Sequence, residues 1–326
     1  MALIDYTDRR TEHRSHARRA PRWRAGLEPT AIRSRRMKTV GVIGLGNMGR
    51  GMAGSLRRGG YTVLGYDAAP GVALALAEQV VLSARDSVAG IARDADVLLL
   101  SLPTSAVVEA VVLGAGGVLE NARPGSIVID TTTADPDSTR RVAGALAERG
   151  IGFVDGPVSG GPKGAATATM TMVLGGSDSD IAAIEPILAA ISAKRVHVGP
   201  VGAGHVTKLL NNLLTGVHLL AASEAVRTAR AAGVDPEKLV EALNGGSGRN
   251  SATLTNYPTW IFNGKFDSGF TMKLMRKDVR LALGLLDQFD SVAPVAREAA
   301  RVWAASEVSV ADGEDFNRIV DFLDPA

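Results

Sequence analysis

The chain has 326 residues, 46% of them hydrophobic and 21% charged, enough for one large core or two ordinary ones. It contains no cysteine, which excludes disulfides, thiolate metal sites and cysteine nucleophiles and fits a reducing, cytoplasmic home. The net charge of +2 hides an asymmetry: residues 1–36 hold ten arginines against Asp5, Asp8, Glu12 and Glu28, whereas the other 290 residues carry 26 basic and 30 acidic side chains. So mildly acidic a body argues against a nucleic-acid surface.

Residues 1–36 lack apolar periodicity and a hydrophobic h-region, so they are not read as a secretory signal. Their four acidic residues count against a transit peptide. The segment is expected to be a disordered extension, or a start-site artefact, since Met37 stands directly before the first strand. No later run of 18 apolar residues suggests a membrane span. The five histidines include no pair at metal-ligand spacing, and no metal is expected.

From Lys38 the chain alternates short apolar runs with helical patterns. TVGVIG (39–44), TVLGYD (62–67), DVLLLSLP (96–103) and SIVIDT (126–131) read as parallel strands covered on both faces. Between the later ones, ADPDSTRRVAGALAERG has Asp135 placed to cap a helix, Pro136 at its first position and Gly150 as its stop. Further strands are expected at GFVDGPV, TMTMVLGG and RVHVGP. After Gly199 only helical patterns remain: a long one from Ala203 to about Ala232, a second capped by Asp235, then MKLMRKDVRLALGLLDQF and APVAREAARVWAAS. The rhythm predicts a doubly wound parallel sheet at residues 37–199, joined by the long helix to an all-α region, together residues 200–326.

GVIGLGNMGRGM places Gly44, Gly46 and Gly49 as G-x-G-x-x-G between a strand and a helix. The first glycine permits a tight turn, the second close approach of a pyrophosphate, and the third helix–strand packing, with the helix N-terminus attracting the anion. Asp67, 21 residues after Gly46, ends the second strand. A carboxylate there can accept from a ribose and repel a 2′-phosphate, and Ala68, Ala69, Pro70 and Gly71 offer no arginine to hold one. NAD is therefore expected over NADP, with NADP as the alternative. Farther along, Ser159, Gly160 and Gly161 form a turn able to hold a carboxylate or hydroxyl, or simply to reverse the chain. In GHVTKLLNNLLTG, Lys208 and Asn212 lie one helical turn apart where the pattern wants apolar side chains.

Six patches in order, GVIGLGNMGRGMA, SLPT (101–104), DTTTADP (130–136), DGPVSGGPKGA (155–165), GAGHVTKLLNN (202–212) and MRKDVRLA (275–282), give a chain that resembles the β-hydroxyacid dehydrogenases. That family includes 3-hydroxyisobutyrate dehydrogenases and tartronate semialdehyde reductases. The resemblance implies hydride transfer between NAD and a short β-hydroxy acid or its semialdehyde. It makes Lys208 the proton donor and acceptor, Asn212 a substrate-orienting residue, and Ser159, Gly160, Gly161 and Thr132 the substrate contacts. It implies cofactor contacts at Gly44, Leu45, Gly46, Asn47, Met48, Gly49, Asp67, Leu102, Pro103, Thr104, Thr133, Phe270 and Lys277, and a homodimer or homotetramer formed through the helical domain. Two departures, Thr132 where serine is usual and Asn250 where small residues are common, put the substrate in doubt.

An amine within reach of the substrate oxygen can give the proton that an aldehyde needs as it is reduced, and burial favours its neutral form. The blander reading of Lys208 is a side chain snorkelling to solvent. His205 is a rival acid, more simply a histidine at a helix start. Asn211 is expected to hydrogen-bond between domains, and Trp260, Phe262 and Phe270, clustered in sequence, to pack the helical domain or else to floor the pocket. The competing functions are an imine reductase, which usually lacks the lysine, and a non-catalytic dinucleotide-binding protein whose basic tail touches nucleic acid.

Overall fold

The structure, a computed structural model, describes residues 39–80 and 82–323. The basic segment, the start at Met37 and the tail reading lie outside the described residues. The first half consists of β1 (Thr39–Ile43), α1 (Asn47–Arg58), β2 (Thr62–Tyr66), α2 (Val72–Val80), β3 (Ser83–Ala84), α3 (Val88–Asp94), β4 (Val97–Leu100), α4 (Ser105–Leu113), α5 (Val118–Asn121) and β5 (Ile127–Asp130). It continues with α6 (Pro136–Ala147), β6 (Gly152–Asp155), β7 (Val158–Ser159), α7 (Gly161–Thr167), β8 (Met170–Gly175), α8 (Asp178–Ile191) and β9 (Ser192–Gly199). The second half holds α9 (Ala203–Ala231), α10 (Pro236–Gly245), α11 (Met272–Gln288), α12 (Pro294–Ala305) and α13 (Ile319–Leu323).

One sheet runs in the order β3-β2-β1-β4-β5-β6-β8-β7, with β9 beside β8. The first six strands are parallel. Their order reverses direction between β1 and β4, which opens the crevice where doubly wound folds bind ligands. Beyond β6 the sheet departs from the parallel pattern: β8 runs antiparallel to both β6 and β7, the chain reversing between β7 and β8 through α7. Val40, Val42, Leu99 and Ile129 build the core on one face, and Ile43, Leu98, Leu100 and Val128 that on the other. Near-continuous apolar strands are required by this two-sided burial.

The helix signals acted locally as expected. Asp135 accepts the Asp137 amide with Pro136 at the first position, and Asp235 accepts the amides of Glu237 and Lys238. α9 packs against α11, α12 and α10 around Trp303, Leu219 and Met275. A π-helical segment, Ala252–Ile261, was not anticipated. Asn250 starts it by accepting the amides of Ala252 and Thr253, so this departure from the family pattern caps a helix. Phe262 packs on Tyr257 with ring centroids 5.2 Å apart and Phe270 on Phe316 at 5.5 Å, both against the helical core. Among the described residues, no helix is long and apolar enough to cross a membrane.

Candidate active site

The glycine loop is shaped by contacts no side chain would permit. Gly44 has φ +90°, and a Cβ there would sit 2.3 Å from the Ser101 carbonyl oxygen. A Cβ on Gly49 would meet the Gly44 oxygen at 1.8 Å, so α1 can start this close to β1 only with glycine. Gly46 faces open space, and α1 begins there without a side-chain cap, leaving its first amides for a ligand. These features fit a pyrophosphate at the helix N-terminus. Asp67 Oδ2 accepts the Leu45 amide at 2.7 Å and Oδ1 the Ala69 amide at 2.9 Å. The carboxylate thereby braces the loop and keeps lone pairs for ribose hydroxyls. Asn47 and Met48 open α1, with Asn47 exposed and accepting from Arg50 at 2.6 Å.

Thr104 caps α4 through its hydroxyl, placing Leu102 and Pro103 in the turn just after β4. Lys277 Nζ crosses from α11 to donate to the Thr133 carbonyl at 2.6 Å and to the Pro103 carbonyl at 3.4 Å. It also pairs with Asp278 Oδ1 at 3.0 Å. Phe270, half-buried, is turned to Phe316 in the helical core. Thr132 is 3% exposed, its hydroxyl accepting the Leu102 amide at 3.3 Å, so the extra methyl relative to serine is buried at the strand ends.

Gly160 (φ +129°) and Gly161 (φ +62°) need glycine for the turn, and α7 starts there uncapped. Ser159, exposed on this turn, accepts a hydrogen bond from Lys208 Nζ at 2.9 Å. Burial pulls the Lys208 ammonium down to about 8, opposed by the Asp278 carboxylate and assisted by Lys277. Asn212, one turn on, is buried and donates to Asp278 Oδ2 at 2.6 Å, while its oxygen accepts from Asn211 at 3.1 Å. Asn211 thus bonds its neighbour within α9 rather than bridging domains. Burial raises Asp278 above the usual carboxylate range against the pull of Lys277.

Sequence reasoning missed the polar groups beneath this site. Asp130 and Asp155, the last residues of β5 and β6, pair in register and are buried. Asp155 accepts the amides of Gly202 at 2.7 Å and His205 at 2.9 Å, capping α9 from across the sheet. The signal was visible as two apolar strands each ending in aspartate. His205 is fully buried with Nδ1 2.7 Å from Thr139 Oγ, which removes it from any open pocket.

Residues 39–199 match the family model of the NAD-binding domain of 6-phosphogluconate dehydrogenase. Residues 202–323 match that described as NAD-binding of NADP-dependent 3-hydroxyisobutyrate dehydrogenase. The chain is 34% identical over 281 residues to 2-(hydroxymethyl)glutarate dehydrogenase of Eubacterium barkeri, covering 86% of this chain and 93% of the relative. A 3-hydroxyisobutyrate dehydrogenase of Mycobacterium tuberculosis, solved with L-serine, superposes with a TM-score of 0.81 at 33% identity, over 88% of this chain and 99% of its own. An imine reductase from a Pseudomonas species, 18% identical with a TM-score of 0.56 over 88% of this chain and 99% of its own, shares the fold alone.

Proposed function

Since this chain belongs to the β-hydroxyacid dehydrogenase family, we propose that it interconverts a short β-hydroxy acid and its semialdehyde, using NAD in preference to NADP and Lys208 as general acid and base. The hydrogen bond from Lys208 Nζ to Ser159 Oγ carries this reading, because it joins a half-buried amine to a turn suited to a carboxylate. Residues 37–199 would hold the dinucleotide and residues 200–326 would close the substrate side. Gly44 to Gly49 and Asp67 suit the pyrophosphate and ribose. Lys277, on the carbonyls of Pro103 and Thr133, holds α11 to the β4 and β5 ends beside them.

Bound NAD supplies the acceptor for the hydride leaving the carbinol carbon. Lys208 as free amine takes the hydroxyl proton, and in the reverse direction its ammonium returns it to the oxygen. With its pKa near 8, roughly a tenth of the amine is free at pH 7, against less than a thousandth for an unperturbed lysine. Ser159 and the amides of the Gly160–Gly161 turn receive the carboxylate. The names of the relatives supply the substrate class: 2-(hydroxymethyl)glutarate, 3-hydroxyisobutyrate and the bound L-serine all carry a hydroxymethyl group on the carbon next to a carboxylate. A panel of acids varying only the third substituent on that carbon, assayed by NAD reduction, is expected to contain a substrate. No turnover across the panel, with imine reduction instead, would overturn the reaction; a tenfold preference for NADP would overturn the cofactor assignment alone.

Asp278 opposes the depressed basicity of Lys208, so its replacement has a defined sign. Asp278→Asn removes a negative charge facing the ammonium, and the Lys208 pKa falls further. In the oxidation direction, activity rises with pH as the amine is freed. The lower limb of the kcat/KM profile is therefore expected to move to lower pH in the variant. A limb that stays or moves upward would separate Asp278 from the proton step.

A further inference from the structure

Beneath Lys208, two buried polar atoms face each other without partners. Asp130 is 1% exposed and His205 0%. Asp130 Oδ2 and His205 Nε2 have no hydrogen-bond partner, and they stand 3.9 Å apart. That gap is too long for a hydrogen bond, yet a shift of about 1 Å closes it. Every other polar atom of the pair is occupied. Asp130 Oδ1 accepts the Thr132 amide at 3.0 Å. His205 Nδ1 lies 2.7 Å from Thr139 Oγ, whose single hydroxyl proton points to the Asp135 carbonyl at 3.0 Å. If the hydroxyl keeps its proton on Asp135, Nδ1 carries the imidazole hydrogen and Nε2 is left as an acceptor. An acceptor facing a bare carboxylate would be repulsive, so the missing proton belongs on Asp130.

We propose that Asp130 and His205 form a buried one-proton pair, in which Asp130 as neutral acid donates Oδ2–H to Nε2 of a histidine protonated on Nδ1, and that this pair positions the first turn of α9, and hence Lys208, on the end of β5. The link to Lys208 rests on the function proposed above; the placement of the proton does not.

The electrostatics agree with the geometry. Burial pushes Asp130 up to about 7, opposed by the Thr132 hydroxyl and amide and more weakly by Lys277 on α11, and helped by the neighbouring Asp155 carboxylate on β6. Burial and Lys277 pull His205 down to about 3. The backbone carbonyls of Thr132 and Asp130 beside the ring oppose that fall, yet Nε2 makes no hydrogen bond. A neutral pair avoids an unpaired buried charge, since Lys277 is already engaged by Asp278.

Labelling the full chain with [15N]histidine tests the proton directly, with the His205 signals identified by their loss in His205→Gln. At pH 6 the expected spectrum shows a neutral ring protonated on Nδ1. Asp130→Asn is expected to preserve that tautomer, because its amide Nδ2–H replaces the acid hydroxyl while Oδ1 still accepts from Thr132. A proton on Nε2, a doubly protonated ring, or a tautomer change in Asp130→Asn would overturn the proposal. Thermal melts add a second reading. A carboxyl raised from 3.8 to about 7 confers stability below 3.8 that is lost as pH rises to about 7. Asp130→Asn lacks this loss, so its Tm is expected to gain on wild type between pH 4 and 7. Parallel curves would overturn the neutral acid.

Discussion

Replacing Lys208 with alanine is expected to lower kcat for hydroxy acid oxidation by about 10²–10⁴-fold, while Kd for NAD, measured without substrate, changes by less than about threefold. The asymmetry follows from where the side chain ends. Lys208 Nζ meets Ser159 on the Ser159–Gly161 turn proposed to receive the substrate, whereas the glycine loop and Asp67 lie at the ends of β1 and β2. His205→Asn is expected to cost far less, because that imidazole is sealed against Thr139 and cannot touch a substrate. The reverse ranking would move the proton role to His205. Stability provides an independent check on the same amine. A lysine lowered from 10.5 to about 8 imposes its full cost below pH 8, and that cost disappears as pH rises to 10.5. Lys208→Met should therefore raise Tm at pH 7, by about 2 °C per kcal/mol recovered, even as turnover is lost. Such opposition of stability and activity is characteristic of a functional buried charge; a fall in both would describe a structural lysine.

The sequence made some levels of this molecule legible and concealed others for identifiable reasons. Strands buried on both faces announce themselves as apolar runs, and the Asp135–Pro136 and Asp235–Pro236 caps mark helix starts because their hydrogen bonds are local. Gly44, Gly46 and Gly49 were readable because their spacing lies within six residues directly after an apolar strand, although the Gly44 constraint comes from the Ser101 carbonyl just past the end of β4. The direction of β8 was not, since the path of the chain through α7 sets it rather than any periodicity in the strand. The π-helical segment escaped because Pro258 and scattered polar residues obscure its period. Asn212 and Asn211 illustrate the limit at side-chain level: spacing puts them on α9, but only packing against α11 sends the Asn212 amide to Asp278. The Asp130–His205 juxtaposition spans 75 positions of sequence and leaves no local pattern at all.

The other large effect is expected at Gly204, where no chemistry occurs. A Cβ there would lie 2.7 Å from the Asp155 carbonyl oxygen, 2.8 Å from Asp155 Oδ2 and 2.8 Å from the Val173 carbonyl oxygen. Two of these obstacles are backbone of β6 and β8, which cannot swing aside, and the third is the carboxylate that caps α9. Gly204→Ala is therefore expected to destabilise by about 3 kcal/mol, lowering Tm by roughly 5–10 °C. Gly144→Ala is the matched control: it sits within α6 with no atom within 4 Å of the new Cβ, and alanine there should be neutral or stabilising by up to about 1 kcal/mol. The consequence for activity follows from helical geometry. Gly204 and Lys208 are four residues apart and share a face of α9, so the contact that seats Gly204 on the sheet also aims Lys208 at Ser159, which pairs with Thr171 on the adjoining part of β8. Lifting the first turn of α9 withdraws the amine from Ser159. Gly204→Ala protein that still folds should thus lose kcat and Tm together, the opposite of Lys208→Met; a variant with wild-type Tm and turnover would show that α9 does not rest on this contact.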